Sequence, residues 1–446
     1  MDRTAPPFPA PLGRTLFALV ALAFLSGALV HPLSGEVLNI SGDTAGGESK
    51  GVQYLGAAVY LATVGMLILY RIRIPPLAAV ALPAAICVLA VLSTMWSIDP
   101  GLTLRRSLAL TGTTLFAVVL AGMFEERRVL GILTHFFVLY LLVTALVAVV
   151  APGMAFHQAS DPVYSEHAGR LRGTYAHKND LGHYLGLALC FLVTVGPVGA
   201  GRATRLAGIL VGAGLLVLSG SVSSMISTAG ALGVLALVLV YFRTSHALLR
   251  ALLLVFLGIV VPIALFVAFW TPFLVVVLEA FGRDPTLTAR TDIWHYVILA
   301  GQPTWLLGAG YGAGWAKAAP ILAASPFMDP GNAHNGYLQG WLEIGVVGVG
   351  LALAFVVVAG RAALRRMARE PGERAAALAF TIVTYFAIVN VAGPYIANHN
   401  DMLWATLVIM AILTFRHQHA TARHDAGAHV AAPPRAGAPA VERARS

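Results

Sequence analysis

Two basic residues and a histidine-lysine pair stand close together in one segment of a chain that carries little charge elsewhere. Residues 169 to 182 read Gly-Arg-Leu-Arg-Gly-Thr-Tyr-Ala-His-Lys-Asn-Asp-Leu-Gly. The guanidinium groups of Arg170 and Arg172 suit paired hydrogen bonds to phosphate oxygens, and Lys178 adds a point charge. Asn179 or Asp180 is predicted to cap the following helix, whose first N–H groups also favour an anion. The segment predicts an anion-binding site.

A second candidate is the sequence Leu-Thr-Ala-Arg-Thr-Asp-Ile-Trp at 287 to 294. Thr288 or Thr291 is predicted to start a short helix on the membrane surface that ends near Leu299. In that position Arg290 is a candidate anion ligand. The alternative is a surface ion pair between Arg290 and Asp292, which contributes little stability.

A third candidate joins a histidine to a polar helix face. Residues 333 to 345 read Ala-His-Asn-Gly-Tyr-Leu-Gln-Gly-Trp-Leu-Glu-Ile-Gly. His334 stands at a predicted helix N-terminus, which disfavours the imidazolium, so its ring is expected to be neutral and able to accept a proton. Asn335, Gln339 and Glu343 recur every four residues and share one helical face. Asn335 and Glu343 are candidate substrate ligands, and a carboxylate at this depth is usually functional or paired. The alternative is that His334 merely caps the helix.

Several other chemistries lack their signatures. The glycine-rich stretch Gly308–Gly314 follows no strand and has no Gly-Lys-Ser/Thr ending, so it does not predict a nucleotide site. The predicted outer loops contain no Asp-x-Asp, no His-x-x-x-His and no cysteine ligands, and no Gly-x-Ser-x-Gly occurs. We therefore expect no metal ion and no cofactor. Basic residues are scattered rather than clustered on one face, so nucleic acid is not an expected partner despite the net charge of +9.

The elements that must position these residues are membrane helices. Apolar residues form 58% of the chain and charged residues 11%, which is too little charge to cover a soluble protein of this size. The predicted fold is all-α, with about 12 transmembrane helices in 14–415, between a cytoplasmic segment 1–13 and a disordered cytoplasmic tail 416–446. The predicted helices are 14–31, 51–70, 74–94, 104–123, 129–150, 180–200, 206–220, 222–242, 248–271, 337–360, 376–396 and 401–415.

The distribution of arginine and lysine predicts the orientation. With both termini cytoplasmic, arginines mark every inner loop, and the long loops 151–179 and 272–336, the second of them just before the tenth helix, are periplasmic. The basic residues of those two loops break the charge rule, and anion binding is the simplest explanation. The alternative is a basic loop that meets lipid headgroups. Arg105 and Arg106 are a further exception, for which a structural role suffices.

Taken together, the chain resembles the O-antigen ligase and Wzy-type polysaccharide polymerase superfamily, and most of all its exopolysaccharide-polymerase branch. The motifs that carry the resemblance are Arg-Gly-Thr-Tyr-Ala-His-Lys-Asn-Asp-Leu-Gly at 172–182, Thr-Ala-Arg-Thr-Asp-Ile-Trp at 288–294 with Leu-Gly-Ala-Gly-Tyr-Gly at 307–312, and His-Asn-Gly-Tyr-Leu-Gln…Glu-Ile-Gly-Val-Val-Gly at 334–348. It covers about residues 165–350, and the order and spacing of the motifs make it specific.

That resemblance implies a glycosyltransferase of the bacterial inner membrane whose active site faces the periplasm. The donor would be an undecaprenyl-diphosphate-linked glycan, held by Arg172 and Arg290, and His334 would act as general base on an acceptor sugar hydroxyl. Arg170, Lys178 and Asn179 are secondary candidates. Polymerisation of repeat units is favoured over ligation to lipid A-core. Membrane lipid and other polysaccharide-assembly proteins are the remaining expected partners, and the alternative from another class is a transporter of lipid-linked glycan.

Overall fold

The computed structural model describes residues 12–28, 43–44, 47–48, 50–70, 72–161, 164–256, 258, 286–323 and 331–431, without the side chains at 43–44, 47–48, 286–292, 322–323 and 422–431. The helices are α1 Leu12–Leu25, α2 Lys50–Leu69, α3 Leu77–Leu92, α4 Pro100–Met123, α5 Glu126–Val150, α6 Pro152–Ala155, α7 Lys178–Thr194, α8 Arg202–Ser219, α9 Val222–Arg243, α10 Ala247–Val255, α11 Thr286–Gly301, α12 Trp315–Ala323, α13 Gly336–Arg369, α14 Arg374–Val389 and α15 Met402–Ala431. Short 3₁₀ turns lie at Ser93–Met95, Ser165–His167 and Gln302–Thr304. In the described part, β1 (Asp43–Thr44) and β2 (Gly47–Glu48) form a two-residue antiparallel pair.

The fold is helical, as predicted, and each of the twelve predicted membrane segments contains a described helix. Among the described residues, seven helices are long and apolar enough to cross a membrane: Lys50–Leu69, Leu77–Met95, Pro100–Met123, Glu126–Val150, Arg202–Ser219, Val222–Arg243 and Gly336–Arg369. The chain is therefore a multi-pass membrane protein. The count of twelve spans and the periplasmic position of the long loops stay predictions.

Helix α4 begins four residues earlier than predicted. Asp99 is its N-cap, and its Oδ1 accepts a hydrogen bond from the Leu102 N–H at 2.9 Å. Pro100 occupies the first helical position, where its missing N–H costs nothing. The start of α4 therefore places Arg106 inside the helix, where its Nη1 donates to the Gly312 carbonyl. This contact gives Arg106 a structural role.

Helix α15 continues to Ala431, so the predicted end at 415 and the predicted start of a disordered tail at 416 are wrong for residues 416–431. Polar contacts with neighbouring helices hold the added turns. His417 Nε2 lies 2.6 Å from Glu370 Oε1, and Gln418 Nε2 donates to the Ala362 carbonyl at 2.8 Å. Alanine-rich sequence also favours helix here. Residues 432–446 lie outside the described part.

Helix α13 is interrupted at Gly345, where the backbone turns to φ 66° and ψ −174°. The loop that contains the glycine-rich stretch fills the break. Leu342 and Glu343 carbonyls accept the N–H groups of Ala309 (2.9 Å) and Gly310 (3.0 Å). After the break, N–H groups of the helix donate to carbonyls of that loop. The Val346 N–H, for example, donates to the Trp305 carbonyl at 2.9 Å. All these peptide groups are satisfied, as buried backbone requires.

Contacts between described loops form two groups, and each group joins loops that the charge pattern assigns to the same side of the membrane. In the first group, the Ile98 N–H donates to the Ala309 carbonyl (3.0 Å), and the Tyr311 hydroxyl donates to the Ala397 carbonyl (2.7 Å). The second group is arginine-rich. Its loops are connected by Arg366, which is 2% exposed and binds both Glu126 (2.8 Å) and Glu373. We call these the outer end and the inner end. Which of them faces the cytoplasm stays a prediction.

Candidate functional site

Helix α7 begins inside the first predicted motif. His177 is its N-cap, and the His177 Nδ1 accepts from the Asn179 N–H at 3.1 Å. The prediction that Asn179 or Asp180 caps this helix is therefore wrong. Asn179 Oδ1 instead accepts from Ser221 Oγ at 2.8 Å, and Lys178 Nζ lies 3.4 Å from the Gly220 carbonyl. The start of α7 is thus tied to the turn between α8 and α9.

Arg172 is buried in the outer loop, with 7% of its surface exposed. Its Nε donates to the Met154 carbonyl at 3.1 Å, and its Nη1 binds Asp161 Oδ2 at 3.0 Å. Among the described residues no partner engages its Nη2. Arg170, by contrast, is exposed and lies against Gly220. Asp161 therefore already balances the charge of Arg172, and an anion would reach this guanidinium through Nη2 or by displacing that carboxylate.

Three histidines ten residues apart form a cluster beside Arg172. Ring centroids lie 5.7 Å apart for His157–His167, 5.7 Å for His157–His177 and 5.0 Å for His167–His177. Tyr164 packs on His177 at 4.7 Å. His157 is fully buried, and its Nε2 accepts from the Lys178 N–H at 3.2 Å. This histidine cluster joins the two halves of the loop 151–179 and the start of α7.

All three imidazoles of the cluster have lowered pKa values. Burial and then the charge of Arg172 lower the pKa of His157 to about 4. Burial and then the charge of Lys178 lower the pKa of His167. Burial lowers the pKa of His177 well below its ordinary value, with smaller contributions from charges on His167, Lys178, His334 and His157. The cluster is therefore neutral at neutral pH, and the positive charge of this loop comes from its arginines and Lys178.

His334 lies at the entrance of α13, where its backbone adopts φ 46°. Its N–H donates to Asn332 Oδ1 at 2.8 Å. The helix cap is Asn335, whose Oδ1 accepts from the N–H groups of Tyr337 (3.0 Å) and Leu338 (3.1 Å). Asn335, and not His334, therefore caps the helix, so the alternative in which His334 is only the cap is wrong. Since a positive φ is costly for a residue with a Cβ, the surrounding contacts must hold His334 in this turn.

A short segment between α14 and α15 connects His334 to α7. The Asn390 carbonyl accepts from the Gly336 N–H at 2.7 Å, two residues after His334. Asn390 Oδ1 accepts from the Tyr395 N–H at 2.9 Å, and the Tyr395 hydroxyl lies 2.5 Å from His183 Nδ1 on α7. The segment between α14 and α15 therefore connects the start of α13, in the third motif, to α7, which begins in the first motif. His334 also lies close enough to His177 that protonation of the His334 ring would help to lower the pKa of His177.

The second motif lies in α11, which begins at Thr286 rather than at Thr288 or Thr291. Trp294 is buried, and its Nε1 donates to the Ala333 carbonyl at 2.9 Å, directly before His334. Arg290 precedes Trp294 by four residues, about one helical turn. The side chains of Arg290 and Asp292 lie outside the described part, so the role of Arg290 and its pairing with Asp292 stay predictions.

Glu343 and Gln339 share a face of α13, as predicted. Gln339 Nε2 donates to Glu343 Oε1 at 2.6 Å, and the Gly312 N–H donates to Glu343 Oε2 at 3.0 Å. Both carboxylate oxygens therefore have partners inside the protein. This geometry makes Glu343 a clamp between the glycine-rich loop and the broken helix, and its proposed contact with substrate has no support in this arrangement.

Sequence reasoning missed His157, His167, Tyr164 and Asp161. Their signal was weak, since the ten-residue spacing of the histidines matches no helix or strand period. At the inner end, Glu370, Glu373 and His417 form a group close enough to hold a cation. A cavity beside that group includes Arg73 and Arg416 in its lining. Both features lie away from the outer end, and neither contains a predicted site residue.

Comparison with known proteins agrees with the motifs. The sequence profile of the O-antigen ligase family matches residues 207–353, a range that includes Arg290, His334 and Glu343. The chain is 25% identical over 327 residues to the exopolysaccharide production protein ExoQ of Rhizobium meliloti (strain 1021). The aligned region covers 70% of this chain and 72% of that protein. These findings confirm the resemblance to the O-antigen ligase and Wzy-type polysaccharide polymerase superfamily, on the side of its exopolysaccharide branch.

Proposed function

We propose that the protein is a membrane glycosyltransferase that polymerises exopolysaccharide or O-antigen repeat units at the periplasmic face. The donor is an undecaprenyl-diphosphate-linked glycan, and the acceptor is a sugar hydroxyl of a second lipid-linked unit. The observation that supports the proposal is a chain of hydrogen bonds from Gly336, two residues after His334, through Asn390 and Tyr395 to His183 in α7, the helix that begins at the end of the first motif.

In this proposal the basic residues stabilise the leaving diphosphate. Negative charge grows on the bridging oxygen as the bond to the sugar breaks, and prepositioned cations lower the energy of that state. Arg172, Arg290, Arg170 and Lys178 would supply the charge. Since Asp161 is bound to Arg172 (3.0 Å), a diphosphate competes with this carboxylate for the same guanidinium. Arg170 is exposed, and no carboxylate of the described residues pairs with it.

His334 is the proposed general base. A neutral imidazole takes the proton of the attacking hydroxyl, and this step contributes about 10²–10⁴-fold in rate. Attack from the face opposite the diphosphate inverts the anomeric carbon. The left-handed backbone at His334 and the rigid cap at Asn335 support the role, because general-base catalysis needs a fixed ring.

Polymerisation of repeat units and ligation to lipid A-core differ in the acceptor. Deletion of the gene, followed by sizing of surface and secreted polysaccharide, tests both. A polymerase predicts loss of long chains while single units remain attached. Loss of all attachment to lipid A-core would instead indicate a ligase. Unchanged long chains in the deletion strain would contradict both assignments.

A transporter of lipid-linked glycan is the second candidate, because broken membrane helices such as α13 often form transport sites. In transporters the free peptide groups of the break bind the substrate or ion. Here the carbonyls of Leu342 and Glu343 and the N–H of Val346 are already bound by the adjoining loop. Because these peptide groups are already hydrogen-bonded, the enzyme is favoured over the transporter. Product linkages formed in vesicles without an ion gradient would exclude gradient-driven transport as the activity.

A further inference from the structure

We propose that Asp180 binds a hydroxyl group of the glycan substrate through its carboxylate. The proposal rests on the proposed function and extends it to a residue in the first turn of α7. Asp180 follows His177 by three residues, and its N–H donates to the His177 carbonyl at 3.1 Å. It therefore lies on the same helical turn as Lys178.

The carboxylate of Asp180 is buried and lacks a partner in the part of the protein that the structure describes. The residue is 7% exposed, and among the described residues none forms a hydrogen bond or ion pair with its side chain. Asp401 is a contrasting case. Its Oδ1 accepts from the Trp404 N–H and its Oδ2 from the Tyr184 hydroxyl, both at 2.8 Å. Buried polar groups are almost always paired, so an unpaired carboxylate calls for a water or a ligand.

The nearby hydroxyl groups are committed elsewhere. The Tyr175 hydroxyl donates to the Ser26 carbonyl at 2.6 Å, and the Tyr395 hydroxyl contacts His183 Nδ1 at 2.5 Å. Burial and next the negative charge of Asp180 raise the pKa of Tyr395 well above its ordinary value. The carboxylate thus lies close enough to Tyr395 to influence it, and no tyrosine supplies its missing donor.

The chemistry of the ligand follows from the carboxyl group. In its ionised form Asp180 repels a diphosphate, so it is unsuited to the anionic part of the donor. The described residues also contain no three-ligand cation group at this end. Sugar hydroxyls are neutral donors that pair well with a carboxylate. A glycan hydroxyl is therefore the ligand that fits, and its binding would orient the sugar beside the basic motif.

A structural role for Asp180 predicts a different outcome. A carboxylate in the first turn of a helix stabilises the helix dipole, so its removal would then lower stability without affecting substrate binding. If substrate binding is the role, removal eliminates an unpaired buried polar group. The melting temperature then stays at or above that of the wild type.

The test compares Asp180→Ala, Asp180→Asn and Asp401→Asn in the full chain reconstituted in liposomes. The probe is lipid-linked glycan extracted from a strain that lacks this gene. We expect Asp180→Ala to raise KM by about 10–100-fold, the size of one hydrogen bond to a charged group. Asp180→Asn keeps an acceptor oxygen and should raise KM less. Asp401→Asn, which disrupts a paired carboxylate, should lower the melting temperature.

An unchanged KM in Asp180→Ala would overturn the proposal. So would a fall in kcat and melting temperature at constant KM, which indicates a structural role. The proposed function has its own readout, product formation by His334→Ala assayed in the same liposomes. If His334→Ala forms as much product as the wild type, glycosyl transfer by the outer-end motifs is wrong, whatever Asp180 does.

Discussion

The indole N–H of Trp294 donates to the Ala333 carbonyl at 2.9 Å and so fixes α11 to the residue that precedes His334. Both residues belong to a small apolar cluster with Val297 and Leu342, separate from the main core. The helix that carries Arg290 is thereby held at the entrance of the helix that begins after His334. This relationship connects the second and third motifs.

Replacement of Trp294 by Phe should weaken that connection while keeping most of its aromatic packing. We expect the free energy of unfolding to fall by about 1–3 kcal/mol, because the buried Ala333 carbonyl loses its donor. Activity should fall as well, since His334 follows Ala333 directly. Thermal unfolding and polysaccharide output measure the two effects. Wild-type values for both would show that the bond has no positioning role.

Arg172 and Asp161 should be energetically coupled. Their side chains are 9% and 15% exposed and lie 3.0 Å apart, so removal of either leaves the other charge poorly solvated. A double-mutant cycle of Arg172→Ala and Asp161→Ala should give a coupling of about 1.5–3 kcal/mol in unfolding free energy. Additive effects of the two substitutions would contradict the pairing.

The outer loop should loosen in acid. Folding lowers the pKa of His157 from 6.5 to about 4, so between these values the unfolded loop binds more protons than the folded loop. Stability in this window therefore falls as the pH falls. Hydrogen exchange of the amides in 155–178, corrected for intrinsic rates, should report it.

His157→Gln is the matched control for that pH dependence, because glutamine can accept the Lys178 N–H without titrating. The variant should show a smaller dependence between pH 6.5 and pH 4. The part that remains comes from His167 and His177, whose pKa values are also lowered. An equal slope in variant and wild type would exclude His157 as the titrating group.

Gly345 should not tolerate a side chain. Its φ of 66° disfavours any Cβ, and a Cβ there would collide with the Leu306 carbonyl. Gly350 lies five residues further in α13, where a Cβ meets nothing within 4 Å. We expect Gly345→Ala to abolish folded protein in the membrane. Gly350→Ala should be neutral or more stable by up to about 1 kcal/mol.

Fluorescence-detected gel filtration of detergent extracts compares the two glycine variants directly. Equal monodisperse yields would mean that the break in α13 is not required for folding.

The helices were predictable because an apolar run of about 20 residues bounded by charge has few other structures in a membrane. The start of α7 was not, because capping by His177 rather than Asn179 depends on how the loop 151–179 folds. The partner of Arg172 was equally hidden, since Asp161 stands eleven residues away in a loop without a period. The break at Gly345 depends on the glycine-rich loop that fills it, a tertiary contact that no local pattern encodes.

The role of His334 is tested most directly by the initial rate of glycan bond formation by His334→Ala in liposomes, at matched protein and with extracted lipid-linked glycan. His246→Ala, in the exposed turn between α9 and α10, is the control. A general base predicts a rate about 10²–10⁴-fold below that of the wild type and of the control variant. A wild-type rate in His334→Ala, with the variant folded and inserted, would contradict the mechanism.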